Sequence, residues 1–361
     1  MERIQYPKAK GDMKVLEGIL KRDNNNFDLI RLIAALMVVY FHTFYLFKDS
    51  SHYDHGSSLL KGDSIGGLAV YIFFFLSGMF ITSSYINLKN SYAFVIMRIF
   101  RIWPALIVCI VFTVFAAGPL VSKYSINAYF TSKDTWNYLI HDILLYRVKY
   151  TLPGVFDANY YPSAVNGSIW TLPLEILCYL MVLLIGISQA YKSKIATILI
   201  YSLVIALYII NFHSMRDYLK IPFPFFVAGS LFYMFRKYIP VDYRIWIALI
   251  VIYAVFFKLI LLYILLIYSV LVLGSSAIFK KIKLPGDYSY GIYIYAFLVQ
   301  QLVANYIPEI SPYKSLLLTV PLTVLLAVLS WHFVEKPSIQ IAKRITKEKI
   351  QLQPAALPLS S

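Results

Sequence analysis

Long apolar segments alternate with short polar ones along almost the whole chain. The first 26 residues are polar and basic, and an apolar stretch of 21 residues, 27–47, follows them. About 20 apolar residues cross a bilayer as a helix, and no small-residue cleavage site follows this stretch. The pattern therefore predicts a membrane span and not a signal peptide. Nine further spans are predicted at 65–87, 103–122, 168–188, 194–212, 221–236, 243–258, 259–279, 287–305 and 313–334.

The predicted fold is an all-α helical bundle in the membrane, with about ten transmembrane helices. Residues 243–279 fit either two spans or one bent span. The transmembrane domain covers 27–337, between an N-terminal segment, 1–26, and a tail, 338–361. Composition agrees, because 60% of the residues are apolar and 14% are charged, whereas soluble domains carry about 25% charged residues. A cytosolic enzyme, a nucleic-acid binder and a disordered protein are excluded.

Basic residues are distributed unevenly between the two sides of this predicted bundle. The chain has 33 Lys and Arg against 18 Asp and Glu, a formal net charge of +15. If ten spans alternate from a cytoplasmic N-terminus, 22 basic residues fall on the cytoplasmic side and ten on the other, with Arg31 inside the first span. Cytoplasmic loops of membrane proteins are enriched in Lys and Arg. The sequence therefore predicts that both termini are cytoplasmic.

Three ionisable side chains lie within predicted spans, where they are costly and so indicate function. Arg31 and His42 are eleven residues apart in the first span, which places them on one helix face, about 16 Å apart along the axis. Glu175 lies about seven residues into the fourth span, at a depth expected to match that of His42. A neighbouring carboxylate orients an imidazole and raises its basicity. His42 is thus a candidate general base with Glu175 as its orienter; a snorkelling anchor and interhelical hydrogen bonds are the structural alternatives.

Two further arginines, Arg98 and Arg101, open the third predicted span at its cytoplasmic edge. Their spacing of three residues places them on one face of a helix. Together with Arg31 they form a cluster suited to phosphates, which arginine binds through paired hydrogen bonds. Anchoring at the membrane surface is the alternative interpretation.

With these residues, the chain resembles the acyltransferase-3 family of integral membrane enzymes, which modify surface glycans and lipids of bacteria. The resemblance covers about 27–337 and rests on six motifs in order. They are F-D-L-I-R-L-I-A-A-L-M-V-V-Y-F-H at 27–42, F-F-F-L-S-G at 73–78, R-I-F-R at 98–101, S-I-W-T-L-P-L-E at 168–175, S-Y-G-I-Y at 289–293 and V-E-K-P at 334–337. One departure is that many members carry a His shortly after the fifth motif, where this chain has Tyr295 and Ala296.

The resemblance implies an enzyme of the bacterial inner membrane that transfers an acyl group, most often acetyl, from cytoplasmic acyl-CoA. The acceptor is a hydroxyl of a surface polysaccharide or a lipid-linked glycan. Arg31, Arg98 and Arg101 are then expected to hold the CoA phosphates, while the pantetheine arm carries the thioester to His42. His42 acts either as a general base or as a nucleophile that forms an acyl-enzyme intermediate.

The acceptor is expected at the long loop that precedes the fourth span. Tyr161, Asn166 and Trp170 are the predicted substrate contacts, since aromatic and polar residues together are typical of sugar-binding entrances; an ordinary surface loop is the alternative. The expected partners are acyl-CoA, the glycan acceptor and the lipid bilayer, with no nucleic acid. No metal site is predicted, because Cys109 and Cys178 lie within apolar segments without ligand spacing.

A protein of another class competes with this interpretation. Intramembrane His, Arg and Glu also serve transport pathways, so the alternative is a secondary transporter or a flippase for a lipid-linked glycan or small solute. Transporters of that kind carry paired Gly- or Pro-interrupted spans in corresponding halves, and this sequence shows no such pair.

Overall fold

The computed structural model describes five stretches of the chain and shows helices along nearly all of them. The described residues are 14–21, 23–48, 60–162, 164–211 and 222–351. The N-terminal segment and the C-terminal tail of the predicted domain organisation therefore lie partly outside the described residues.

The helices and strands follow one another in chain order. The first half contains β1 (Lys14–Val15), α1 (Leu16–Ile19), α2 (Phe27–Leu46), α3 (Ile65–Leu88), α4 (Ser91–Phe112), a π-helical turn (Thr113–Ala117), α5 (Gly118–Val121), α6 (Ile126–Thr131), α7 (Lys133–Ile143), a 3-10 helix (Gly167–Thr171) and α8 (Leu172–Ile187). The second half contains a 3-10 turn (Ala190–Lys192), α9 (Lys194–Ile210), α10 (Pro222–Met234), β2 (Pro240–Val241), α11 (Tyr243–Phe256), α12 (Leu259–Gly274), α13 (Ala277–Lys281), α14 (Ser289–Tyr306), α15 (Pro312–Ser330), a second π-helical turn (Trp331–Glu335) and α16 (Lys336–Gln351).

A helix lies within each of the ten predicted apolar segments. Four shorter helices, α9 to α12, are apolar. Helix α14 tolerates Gln300 and Gln301 because protein encloses it, and fourteen of its 18 residues are buried. The chain is therefore a helical membrane protein. Five helical stretches are long and apolar enough to cross a membrane: Phe27–Leu46, Ile65–Leu88, Ser91–Val121, Gly167–Ile187 and Pro312–Lys347.

Residues 243–279 contain two long helices and not one bent helix. Helix α11 ends at Phe256, and Phe257 adopts a left-handed φ of 43° before α12 begins at Leu259. This sharp reversal lets α11 and α12 pack against each other.

The third apolar segment begins earlier than the sequence predicts. Helix α4 starts at Ser91, where the Asn90 side chain accepts a hydrogen bond from the Ala93 N–H, and Pro104 lies inside it. Arg98 and Arg101 therefore lie within the helix and do not open it. Charged residues usually mark the end of a span, but here both arginines face a cavity in the protein interior and not lipid.

Close packing of α3 against α10 shapes the interior. A Cβ atom at Gly78 would collide with the carbonyl oxygen of Phe226, and one at Gly229 would collide with that of Phe75. Only glycine permits this approach of two helix backbones. A buried hydrogen bond of 2.8 Å between the Thr82 and Ser230 hydroxyls joins the same helices. The opposite side of α3 is thereby held toward α2 and α8, where the cavities lie.

Candidate active site

Two cavities meet inside the bundle. The first, which we name the arginine cavity, has a volume of about 270 Å³ and is lined by Arg31, Arg98, Arg101 and Glu175, among others. The second, the histidine cavity, has a volume of about 220 Å³, and its lining includes His42, Phe41, Tyr71 and Trp170. Val70 and Tyr293 line both cavities. The predicted donor and catalytic residues thus face adjoining spaces.

The three arginines of the arginine cavity differ in how their charges are balanced. Arg101 donates to Asp287 at 2.5 Å and to Glu335 at 2.9 Å, so two carboxylates surround it. Arg31 lies 3.3 Å from the carboxylate of Asp28, which is mostly exposed. Arg98 forms no ion pair with any described residue, and its buried Nε lacks a hydrogen-bond partner there. Arg98 is consequently the arginine best able to accept an anionic ligand.

The two carboxylates that hold Arg101 were not among the predicted site residues. Asp287 Oδ1 accepts from the Ser289 hydroxyl at 2.6 Å, and Glu335 Oε1 accepts from the Ser330 hydroxyl at 2.9 Å. Glu335 ends the second π-helical turn, and its side chain is 1% exposed. Both carboxylates adjoin motifs quoted above, but only the fold shows that they meet Arg101.

The Glu175 carboxylate is not joined to His42 by a hydrogen bond in the described structure. Its Oε1 accepts hydrogen bonds from the Ser77 hydroxyl, at 3.4 Å, and from the Tyr179 hydroxyl. Val70, at the histidine cavity, and Ser77 lie seven residues apart on α3, which corresponds to about 10 Å along its axis. Glu175 therefore contacts Ser77 and Tyr179 among the described residues, and its match in depth with His42 remains a prediction.

His42 lies one turn before the end of α2, in the wall of the histidine cavity. Its ring packs edge-on against Phe297 with centroids 5.0 Å apart. The buried Nδ1 has no hydrogen-bond partner among the described residues. A buried nitrogen without a partner is costly, and such a group at a cavity wall is available to a substrate.

The three predicted substrate contacts occupy different surroundings. Trp170 lines the histidine cavity. Tyr161 lines neither cavity; it is partly exposed, and its ring centroid lies 6.4 Å from that of Phe297. Asn166 is 1% exposed; its amide donates to the Ile294 carbonyl at 2.8 Å, and its Oδ1 accepts from the Ser168 N–H. Asn166 lines neither cavity and holds the loop to α14, so a role in substrate binding remains a prediction.

Ala296, at the place where many members of the resembled family carry a His, lies outside both cavities. It is 1% exposed and packs with Ala35, Val39 and Ala327 where α2, α14 and α15 meet. Small residues permit this close contact of helices. A histidine at this position would enlarge a helix interface and would not face either cavity.

Comparisons with known proteins identify the family of the chain. Residues 24–334 match the family described as an acyltransferase domain. The chain belongs to this acyltransferase family. It is an enzyme of the transferase class, which sets aside the transporter and flippase alternative.

Two relatives of this acyltransferase are informative. An O-acetyl transferase of Shigella phage Sf6 is 32% identical over 340 residues, covering 87% of this chain and 95% of that protein. Nodulation protein 10 of Rhizobium leguminosarum bv. viciae is 28% identical over 230 residues, covering 58% of this chain and 57% of that protein. No solved structure matches the chain.

Proposed function

We propose that this acyltransferase is an O-acetyltransferase that moves an acetyl group from acetyl-CoA to a hydroxyl of a surface polysaccharide or lipid-linked glycan. The observation that carries the proposal is the junction of the two cavities. One contains an arginine without a carboxylate partner, and the other contains a histidine without a partner for its buried nitrogen. The name of the phage relative, O-acetyl transferase, supports acetyl as the group transferred and a hydroxyl oxygen as its acceptor.

The arginine cavity suits the phosphates of the donor. A buried cation that no direct ion pair balances is expensive in a membrane protein; the Glu175 carboxylate shares the cavity with Arg98, and an anionic ligand would lower the remaining cost. Arg98 and Arg31 offer planar, paired donors of the kind that phosphates accept. Arg101 serves a different purpose in this proposal, since Asp287 and Glu335 already neutralise it. It positions the cavity wall by joining α4 to α14 and α15.

The length of α2 suits the length of the donor. Arg31 lines the arginine cavity and His42 lines the histidine cavity, eleven residues further on, which corresponds to about 16 Å along the helix. An extended pantetheine arm bridges a distance of this order. Phosphates near Arg31 and Arg98 would therefore place the thioester near the junction of the cavities.

His42 is proposed to remove the proton of the acceptor hydroxyl. The hydroxyl oxygen attacks the thioester carbonyl carbon while its proton passes to a ring nitrogen of His42. The tetrahedral intermediate then collapses with cleavage of the carbon–sulfur bond. Coenzyme A leaves as a thiolate and takes up a proton, which gives a free thiol and an O-acetyl ester. An imidazole with an unpartnered ring nitrogen can accept that proton.

The membrane arrangement is also proposed from the sequence. About ten spans with both termini in the cytoplasm would place the arginine cavity on the cytoplasmic side, where acetyl-CoA is made, and His42 toward the outer side. The bacterial inner membrane is the expected location. Reporter fusions at the C-terminus and within the 123–167 loop would test this orientation, with opposite sidedness expected for the two.

Transfer of label tests the activity directly. The purified chain in lipid nanodiscs would be mixed with acetyl-CoA labelled in its acetyl group and with glycan-bearing lipid extract from its host. We expect stoichiometric release of CoA thiol and appearance of the label as a base-labile ester on the glycan. Consumption of acetyl-CoA without glycan ester, or no consumption at all, would refute the proposal.

A further inference from the structure

Tyr293 lies at the point where the two cavities join. Of the two residues that line both cavities, Val70 is apolar, so only Tyr293 carries a hydrogen-bond donor there. Its hydroxyl oxygen lies 2.6 Å from the hydroxyl oxygen of Thr171, which lines the arginine cavity. The next residue toward the N-terminus, Trp170, lines the histidine cavity. The two hydroxyls therefore lie at the wall that the two cavities share.

The two hydroxyls carry two protons, and the hydrogen bond between them uses only one. Each O–H group donates one proton, and in the Tyr293–Thr171 contact only one of the two hydroxyls donates to the other. No other acceptor for either hydroxyl is present among the described residues. Tyr293 is 8% exposed and Thr171 is 5% exposed, so bulk water does not readily provide one. The pair consequently presents one unused donor to the junction.

The donor is held in place on several sides. The ring of Phe73 packs edge-on against the Tyr293 ring, with centroids 5.8 Å apart. On α14, Tyr293 and Phe297 are four residues apart, so they share a helix face and lie about 6 Å apart along the axis. Phe297 in turn contacts the His42 ring. Tyr293 is therefore held on the same face of α14 as the ring that packs against His42.

We infer that the Tyr293–Thr171 hydroxyl pair is the oxyanion donor of the acyl transfer, an inference that rests on the proposed function. The acceptor hydroxyl must touch both His42 and the thioester carbonyl, so the carbonyl lies at the boundary between the cavities. When the acceptor oxygen attacks, the carbonyl π electrons move to its oxygen, which becomes negative. The unused O–H donates to that oxygen, and the charge returns to carbon as the carbon–sulfur bond breaks. Donors that are fixed before the reaction stabilise such a charge without reorganisation.

Removal of single hydroxyls tests the assignment. In membranes of the host that carry its own glycan acceptor, with acetyl-CoA as donor, Tyr293→Phe is expected to lower kcat by about 10²–10³-fold. The KM for acetyl-CoA should change little, since the charge develops only in the transition state. Thr171→Val should lower kcat less, because the Tyr293 hydroxyl then still donates, and Thr171→Ser should restore it. Tyr295→Phe, which removes a buried hydroxyl from the same helix outside both cavities, is the matched control.

The outcomes separate this inference from the proposed function. Wild-type membranes that release no CoA thiol would refute the proposed function and the oxyanion assignment together. An active wild type whose Tyr293→Phe variant keeps its kcat would overturn only the oxyanion assignment. The oxyanion assignment would also be overturned if Tyr293→Phe changed only the melting temperature and the KM, as expected of a structural residue. If Tyr293→Phe does not fold, equal kcat values for Thr171→Val and the wild type would overturn the assignment, and a loss that Thr171→Ser restores would support it.

Discussion

The two cavities differ in whether their buried polar groups have partners. In the arginine cavity most charges are satisfied by partners from other helices, as when Arg101 is held between Asp287 and Glu335. In the histidine cavity the surroundings of His42 are mainly aromatic, and its Nδ1 has no partner among the described residues. Because unsatisfied buried groups cost free energy, the second arrangement makes sense only where a substrate completes it. The comparison therefore supports the proposal that the chemistry takes place in the histidine cavity.

The same comparison applies within the arginine cavity. Arg98 and Arg101 are one helical turn apart on α4, yet Arg101 has two carboxylate partners and Arg98 has none in the described structure. Removal of one member of a buried ion pair destabilises the fold, because the other charge stays buried. Removal of a cation that is paired only by a ligand has less effect on folding. Substitution of Arg101 is thus expected to lower stability, whereas substitution of Arg98 is expected to weaken ligand binding.

The largest expected effect is that of His42→Ala. Loss of a positioned base lowers kcat by about 10²–10⁴-fold, and the variant should insert like the wild type because its Nδ1 has no hydrogen-bond partner among the described residues. Transfer of labelled acetyl measures the effect, and His332→Ala, at an exposed histidine beside Tyr288, is the control. Near-normal transfer by a well-inserted His42→Ala protein would contradict the proposal that catalysis takes place in the histidine cavity.

The next effect separates the two arginines of α4. Arg98→Ala should raise the KM for acetyl-CoA by about 10–100-fold, the equivalent of a charged hydrogen bond of about 1.5–3 kcal/mol, and leave thermal stability nearly intact. Arg101→Ala should destabilise the protein by about 3–5 kcal/mol, since Glu335 would remain buried without its partner.

Thermal melting in nanodiscs and donor titration measure both changes. Addition of Glu335→Gln to Arg101→Ala should recover part of the lost stability, because the unpaired buried charge is removed. Equal donor KM values and equal melting temperatures for the two single variants would contradict the proposed division of roles.

Much of the fold and part of the site are accessible from sequence. The apolar segments predict the helices, and Arg31, His42 and Glu175 stand out because an ionisable side chain within an apolar segment is costly. Asp287 and Glu335 give no such signal, since they lie at segment ends, where charges are common. They meet Arg101 across 186 and 234 residues of sequence, a contact that depends on how the helices pack.

The hydroxyl pair is still less visible in sequence. The chain contains 31 tyrosines, and nothing in the composition distinguishes Tyr293 from the rest. Only the cavities identify it. The hydrogen bonds of Glu175 to Ser77 and Tyr179 are likewise hidden in sequence, because the Ser77 contact joins residues 98 positions apart.

A smaller effect distinguishes the predicted substrate contacts. Trp170→Ala should raise the KM for the acceptor by about tenfold, comparable to an aromatic contact of about 0.5–1.5 kcal/mol, because Trp170 lines the histidine cavity. Asn166→Ala should leave that KM unchanged and lower stability by about 1–3 kcal/mol, since the buried Ile294 carbonyl loses one of its two side-chain donors, the other being the Cys109 thiol. Titration of the glycan acceptor measures this KM for both variants. A raised acceptor KM in Asn166→Ala alone would show that Asn166, and not Trp170, contacts the acceptor.

The smallest effect, and the sharpest test of whether the cavities are separate, is that of Glu175→Gln. If Glu175 oriented His42, loss of its charge would lower the imidazole pKa, and the rise of kcat/KM with pH would move to lower pH. The structure instead joins Glu175 to Ser77 and Tyr179 in the arginine cavity, and a glutamine oxygen still accepts from both. We therefore expect the pH profile to keep its midpoint. The KM for acetyl-CoA should fall by up to about fivefold, because one negative charge that opposes the phosphates by about 1 kcal/mol is gone. Tyr179→Phe, which removes one of the two hydrogen bonds and keeps the charge, should show no such fall. A shifted midpoint for Glu175→Gln alone would show that the carboxylate acts on His42 after all, across about 10 Å.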